Sequence, residues 1–573
     1  MNVSRFKLQL LSPFAWAISV FAVLYVTGCG DDDERGGAGT GGSSATGGQS
    51  TSGGAAASGG KTNAGGTSGS ATAGEVGNAS GAGAGGTPEA GAGGTPGSSE
   101  GGSAGESGTA MGGALGSAGD AGAGGAAVEP LRCTPEDSNS AKKLLELSPN
   151  GHDGLFGLTF DADGNIYATG YVADGIGNAD NRSTVVTKLD KTGALVAGFG
   201  NGGIASIDVL NKGAGEMPRG IVLQSDGKIV VGGTVEHDAT ATGVFANDRD
   251  VYVLRLNTDG SIDSSFGDDG SGIKILNLND GVEGMNAQGQ PTLLGADAQW
   301  GLNVDSNDRL LVHSAQRAVG LQTDGTTPRT DTDWAIVRLT KDGGVDTTFA
   351  QNGKFTYDIG EASASVRTLT LLPDNSLITT GYSTYSGVQR PVLFKLGPDG
   401  EGPSWVFSEP VGTAAEAYAA ALQSNGKLVT AGYGRPNAAA TSSDFVSIRL
   451  NASGTLDTSY GSNGARWLDV GGFGDNARTV AVLGDDRVLL AGGGRLTADD
   501  TDGAVAILTS DGAPDTTFAP AGCRTYDFGS PGDFLWAAAL SPDKKFVAIV
   551  GITGVPANST LDNDSTLLLL QVE

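Results

Sequence analysis

The chain has 573 residues and a formal charge of −29, a balance that argues against nucleic acid and anionic lipid as partners, because both need a basic footprint. Glycine fills 97 positions, 35 of them within residues 36–127, a stretch of 92 with no Phe, Tyr or Trp; such a stretch cannot bury enough apolar surface to offset its ordering entropy. Three His and three Cys leave the chain poor in the side chains that usually build catalytic metal centres.

Residues 1–29 read as an export segment. Arg5 and Lys7 precede an apolar run over residues 14–26, too short to span a bilayer core but laid out like a signal peptide. The run ends in Leu24-Tyr25-Val26-Thr27-Gly28-Cys29, which resembles the lipobox of bacterial lipoproteins. That resemblance implies lipid attachment at Cys29 and a location in the bacterial cell envelope, at the outer membrane or cell surface. Two or more acyl chains would make a stable anchor. Residues 30–132 follow as an acidic start, Asp31-Asp32-Asp33-Glu34, and a Gly/Ala/Ser/Thr tract. As a flexible linker its 92-residue core would span roughly 50–60 Å.

Residues 133–573 form the expected folded part. Residues 1–29 carry +2, 30–35 carry −3 and 36–127 carry −4, which leaves −24 for the remainder. Here a strand–turn–strand phrase recurs, at Phe156-Gly-Leu-Thr-Phe-Asp-Ala-Asp-Gly164 and at Arg219-Gly-Ile-Val-Leu-Gln-Ser-Asp-Gly227, with weaker copies from Trp300, Arg367, Tyr418, Arg478 and Trp536. The turn residues are Asp163, Asp226, Asn307, Asp374, Asn425, Asp485 and Asp543, spaced near 63 residues on average. Asp-Gly and Asn-Gly between β-rich runs favour tight hairpins, because the turn needs positive φ. A third run follows (Val251-Tyr-Val-Leu-Arg255), then a phrase such as Asp263-Ser-Ser-Phe266-Gly267 and a short fourth run. Four short strands per unit without helical periodicity predict an all-β, seven-bladed propeller of four-stranded blades. The phrases resemble the delta-60 repeat of bacterial secreted proteins and, more distantly, NHL and SMP-30 propellers. Asn307-Asp308 and Asp543-Lys544 lack the turn glycine, and residues 401–407 replace the usual Asp-Thr-Thr-Phe phrase.

The seventh copy lacks a fourth strand, and Lys143-Leu144-Leu145-Glu146-Leu147-Ser148 precedes the first copy with no partner. The ring is therefore expected to close by joining this N-terminal strand to the last blade, removing an exposed edge. With Cys29 committed to lipid, Cys133 and Cys523 remain, and in an exported chain they suggest a disulfide; two separately buried thiols are the alternative.

In a propeller the first strands line the channel, and the connections between blades share a face with those joining second and third strands. The long, variable segments are of these kinds: residues 235–249, 315–332 and 435–443 within blades, and 279–299 between them. Variation on one rim of a rigid scaffold places binding there. The residue expected to open each first strand reads Phe156, Arg219, Trp300, Arg367, Tyr418, Arg478, Trp536. Aromatic rings beside guanidinium groups could hold a carboxylate, sulfate or sugar acid; equally, they could stack on each other and plug the channel. Tyr171, Tyr382 and Tyr433, after the second strand, suit packing between blades.

No cofactor is expected. Acidic clusters at Asp499-Asp500 with Asp502 and at Asp562 with Asp564 offer oxygen ligands to calcium, although no ligand spacing recurs and solvated loop charge accounts for them as well. His152, His237 and His313 fall at unrelated blade positions, and no nucleophile elbow or phosphate loop is present. The expected function is a monomeric, membrane-anchored binding or scaffold module that meets a glycan, peptide or envelope protein through its rim. Two alternatives remain: an enzyme acting on extracellular polymer, with converging carboxylates at the channel mouth, and a purely structural envelope protein.

Overall fold

The computed structural model describes residues 132–573 except 137–139, 150, 174, 176–180, 211–214, 237–247, 286–290, 295–296, 328, 330, 361–362 and 555–561. The lipobox with Cys29, the linker and His237 lie outside the described residues. Seven four-stranded antiparallel sheets follow one another, with no helix among the described residues. Blade 1 is Asp153–Phe160, Ile166–Ala173, Arg182–Leu189 and Ile204–Ile207, and its strand order repeats in the blades that follow. First strands of successive blades pack in sequence, and that of blade 1 returns to Phe534–Leu540 of blade 7, closing a ring. Second and third strands are buried almost throughout, as Ile166–Ala173 illustrates, because both faces of each sheet pack on a neighbouring blade.

The expected closure is present. Ala141–Leu145 pairs antiparallel with Ser565–Gln571, Leu144 opposite Thr566, as the fourth strand of blade 7. The strand lies slightly earlier than its apolar run suggests, because Asp153 Oδ2 accepts hydrogen bonds from the Leu147 and Ser148 amides and turns the chain into blade 1. Just upstream, Thr134–Pro135 adds a parallel pair to the outer strand of blade 6, Cys523–Tyr526. Cys133 and Cys523 form a disulfide at this point, with Cα atoms 4.8 Å apart. The N-terminal strap thus spans the edges of blades 6 and 7.

The hairpins joining first and second strands explain the departures from Asp-Gly. In blade 1 the Gly164 amide donates to Asp161 O and the Asp161 amide to Asn165 O, with Gly164 at φ 82°. This is a three-residue loop whose last residue is left-handed. The same position holds Asp308, Asn375, Asp486 and Lys544 in other blades, at φ 60°, 62°, 67° and 62°. Three of these repay the backbone cost by bonding the preceding blade: Ser225 N and Oγ donate to Asp308, Ser424 N and Oγ to Asp486, and Asn375 Nδ2 donates to Ser306 Oγ.

On the same face a clasp joins blades. In blade 3, Arg338 Nε donates to Asp346 Oδ2 at 2.8 Å, and Nη1 reaches Pro398 O and Asp399 Oδ1 of blade 4. The guanidinium also lies 4.8 Å from the Phe349 ring centre. Arg255–Asp263–Phe266 and Arg449–Asp457–Tyr460 repeat this arrangement. The turn glycine of the following blade rests on the aromatic ring: a Cβ on Gly343, at φ 90°, would lie 2.9 Å from Phe266 Cζ. Blade 4 has Lys395 where the arginine would be, and there the ring against Gly454 is Trp405.

Two outcomes follow. Cys133→Ser should lower the melting temperature, since the disulfide closes a 390-residue separation and such links stabilise by up to about 5 kcal/mol; an unchanged melting curve would contradict its role in closure. Arg338→Ala should cost about 3–5 kcal/mol in chemical denaturation, because it strands a largely buried Asp346; a loss below about 1 kcal/mol would refute the clasp.

Candidate functional site: an arginine–aromatic collar

The collar residues do not open the first strands. Strand 1 of blade 1 begins at Asp153, and Phe156 sits inside it at a β-bulge, between the pairs Leu155–Gly170 and Gly157–Thr169. Arg219, Trp300, Arg478 and Trp536 occupy the same bulge in their blades, and Arg367 shares its bulge with Thr368. In blade 5 the bulge widens into a gap between Ala414–Ala415 and Ala419–Leu422, and Tyr418 lies in it. A bulge adds one residue against the partner strand and re-aims it. The second strand accommodates this with glycine. A Cβ on Gly170, Gly432, Gly492 or Gly551 would lie 1.7–2.0 Å from a first-strand carbonyl oxygen. The glycine within the second strand is therefore what lets the bulge form.

These seven side chains converge. Arg219 lies 3.9 Å from the Trp300 ring centre and 5.6 Å from that of Trp536. Arg367 lies 4.5 Å from Trp300 and 5.0 Å from Tyr418, and Arg478 5.0 Å from Tyr418 and 4.1 Å from Trp536. Phe156 completes the circle edge-on to Trp536, with centroids 5.0 Å apart. Guanidinium and ring alternate, each cation held against π faces. Arg367 also pairs with Glu416 at 3.3 Å, both fully buried, and Arg478 donates to Tyr418 Oη at 3.1 Å. Arg219 differs. It is half-buried, and among the described residues no acceptor meets its guanidinium. Tyr171 stacks on Phe156 and Tyr382 lies beside Arg367, so both belong to the collar's outer wall.

The two described histidines stand apart from one another. His152 Nδ1 accepts the Asn563 amide, and burial lowers its pKa. His313 is fully buried against Trp334, and burial lowers it to about 3, which keeps it neutral.

Sequence reasoning missed a second recurring group, a buried acid three residues before the collar residue. Asp153 accepts from Leu147, Ser148 and Ser565. Glu216 accepts from Thr184 and Val209, and Asp297 from Leu278 and Asn279. Each ties the start of its blade to the end of the blade before, on the rim face. The signal was present as Asp or Glu at a fixed offset from the collar residue.

Residues 224–266, 323–349, 372–401 and 423–460 match the family model for a β-propeller domain of unknown function, DUF5122. The first and last segments run from the clasp glutamines Gln224 and Gln423, which accept from Arg255 and Arg449, to the clasp aromatics Phe266 and Tyr460. The chain is a β-propeller repeat protein, and these four segments resemble that family. No curated protein matches it in sequence. Among solved structures, the propeller is similar to a protein of unknown function from Dyadobacter fermentans, at 12% identity and a TM-score of 0.40, over 76% of this chain and 100% of that one. It is also similar to the NanB sialidase of Streptococcus pneumoniae, at 10% and 0.37, over 74% and 69%. A third is the α-L-arabinofuranosidase of Fusarium graminearum, at 11% and 0.37, over 77% and 96%.

The buried acids make the propeller's stability depend on pH. Burial is the largest influence on all three. It raises Asp153 to about 6 against the pull of Ser565, Glu216 to about 7 against Thr184, and Asp297 to about 8 against the Leu278 amide. Because the folded values lie above those of the unfolded chain, this stabilisation is complete below about pH 4 and is lost as pH rises through 6 to 8. The clasp acids behave oppositely: burial opposes charge on Asp263, but Lys228, Ser265 and Arg255 outweigh it and hold the carboxyl far below its ordinary range. Their contribution disappears only in acid. The melting temperature should therefore fall between pH 5 and pH 9; a flat or rising profile would contradict the assignment.

Proposed function

We propose that the protein is an exported binding module, lipid-anchored through Cys29, whose rim face takes a ligand bearing a carboxylate or sulfate. An acidic glycan or peptide of the cell envelope fits that description. The observation that carries this reading is Arg219: a half-buried guanidinium held between two indole rings, with no acceptor among the described residues. Bound this way, a guanidinium has lost little of its donor capacity, and its planar fork suits a two-oxygen acid. The net charge of −29 disfavours polyanions, so recognition of a single acidic group at short range is the fitting mode.

Two further features support the reading. Val319, Leu321, Tyr385 and Phe473 are large apolar side chains left exposed on loops of the rim face, a composition suited to contact with a partner. The Cys133–Cys523 disulfide suits maturation in an oxidising compartment outside the cytosol.

The test is an array of acidic and neutral envelope oligosaccharides and peptides probed with the intact chain and with Arg219→Gln. The proposal expects binding to acidic members only, weakened at least tenfold by the substitution, with the melting temperature nearly unchanged because Arg219 makes no ion pair. Equal binding by the variant, or no acidic ligand for a well-folded chain, would overturn it.

A further inference from the structure

The connections between blades present a recurring acidic geometry on the rim face. At three junctions the acid heading the new blade donates its amide to a carbonyl at or near the start of the third strand of the previous blade: Asp475 to Ser443 O, Asp533 to Thr501 O and Asp153 to Asn563 O. The next residue is an aspartate in each case, Asp444, Asp502 and Asp564. A further acid follows the fourth strand: Asp469, Asp527 and Glu146. The three junctions can therefore be compared atom by atom.

At the junction of blades 7 and 1, both Asp153 oxygens are occupied, Oδ2 by the Leu147 and Ser148 amides and Oδ1 by Ser565 N and Oγ. At the junction of blades 5 and 6, Asp475 Oδ2 accepts the Val470 amide and Oδ1 the Arg495 amide. The junction of blades 6 and 7 breaks the pattern. Asp533 is fully buried, and its Oδ2 accepts the Phe528 amide, but its Oδ1 has no donor. The residue matching Ser565 is Gly503, which has no hydroxyl to offer. A buried carboxylate oxygen left without a partner is costly. Carboxylate oxygens of Asp502, Asp527 and Asp533 lie within 4.8 Å of one another, the spread expected of ligands about 2.3–2.6 Å from a shared calcium ion.

A second junction shows what such a cluster requires. Asp331, Asp333 and Asp358 of blade 3 form a group of the same size, and the Arg329 guanidinium bonds all three at 2.6–2.9 Å. There the chain supplies its own cation. At Asp502–Asp527–Asp533, Lys142 Nζ bonds the main-chain carbonyl of Asp527 and Glu136 and pulls on the Asp502 carboxyl only through space, with no ion pair to any of the three carboxylates among the described residues.

We propose that Asp502, Asp527 and Asp533 bind a calcium ion at the seam of blades 6 and 7, beside the disulfide and the N-terminal strap that close the ring. The ion satisfies Asp533 Oδ1 and offsets the repulsion of three carboxylates, and in doing so ties the third strand of blade 6 to the start of blade 7.

The test is calorimetric titration of the intact, metal-free chain with calcium chloride, paired with thermal melting in EDTA and in calcium. The expected result is saturable calcium binding and a higher melting temperature in calcium. Asp527→Asn changes an exposed ligand while keeping the oxygen that accepts the Gly529 amide; it should fold, melt like the parent in EDTA and bind calcium at least tenfold more weakly. Asp469→Asn, at the junction whose buried acid is fully bonded, should bind like the parent. An absent calcium response in the parent chain, an undiminished one in Asp527→Asn, or a loss in Asp469→Asn with Asp527→Asn unaffected would each overturn the assignment.

Discussion

At the seams that follow blades 2, 3 and 5, the sheets are held in register by a contact in which an arginine of one blade, its aspartate and an aromatic ring take hold of the turn of the next. Arg338 illustrates the contact: a fully buried guanidinium whose Nε meets Asp346 and Nη2 meets Thr348 within the blade, while Nη1 leaves it for Pro398 and Asp399. Such a cation is costly to bury unless every donor is placed, so the clasp admits one relative position of the two blades. Glycine at the receiving turn gives both the left-handed backbone and the space for the ring. Repeated from blades 2, 3 and 5, this fixes the angle to the next blade at those three seams.

The opposite face is held by different chemistry. Buried acids before the first strands collect amides from the preceding blade, while bulges in those strands turn arginines and rings into the channel. One face is thus regular and ionic. The other combines buried, hydrogen-bonded acids with long, variable loops. That difference is the physical basis for assigning recognition to the rim face, where Arg219 and the Asp502–Asp527–Asp533 cluster both lie.

Much of the architecture was legible in the chain because the clasp and the hairpins leave short, local marks. Asp-x-x-Phe-Gly and Asp-Gly recur since each copy must present the same turn to its neighbour, and the missing fourth strand pointed by subtraction to residues 143–148, which overlap the observed strand Ala141–Leu145 in part. The cysteine pair was legible from count and compartment. Other features were not. The bulge that re-aims Phe156 leaves no mark in strand periodicity and shows only as Gly170 on the facing strand. The acids Asp153, Glu216 and Asp297 leave no local mark of burial in the sequence, because their burial depends on amides contributed by another blade. Spacing along the chain likewise hides Asp502, Asp527 and Asp533, which meet only after two connections fold back. The ligand itself stays outside local pattern, since rim loops vary independently of the repeat.

The central claim is that the ring is closed by its own N-terminal strand. Hydrogen exchange of the intact chain, followed by mass spectrometry, addresses it directly. The account predicts that amides of Ala141–Leu145 are protected as long as those of Ser565–Gln571, because the two strands share one ladder. Rapid exchange over Ala141–Leu145, with the C-terminal strand still protected, would show an open ring and contradict the claim.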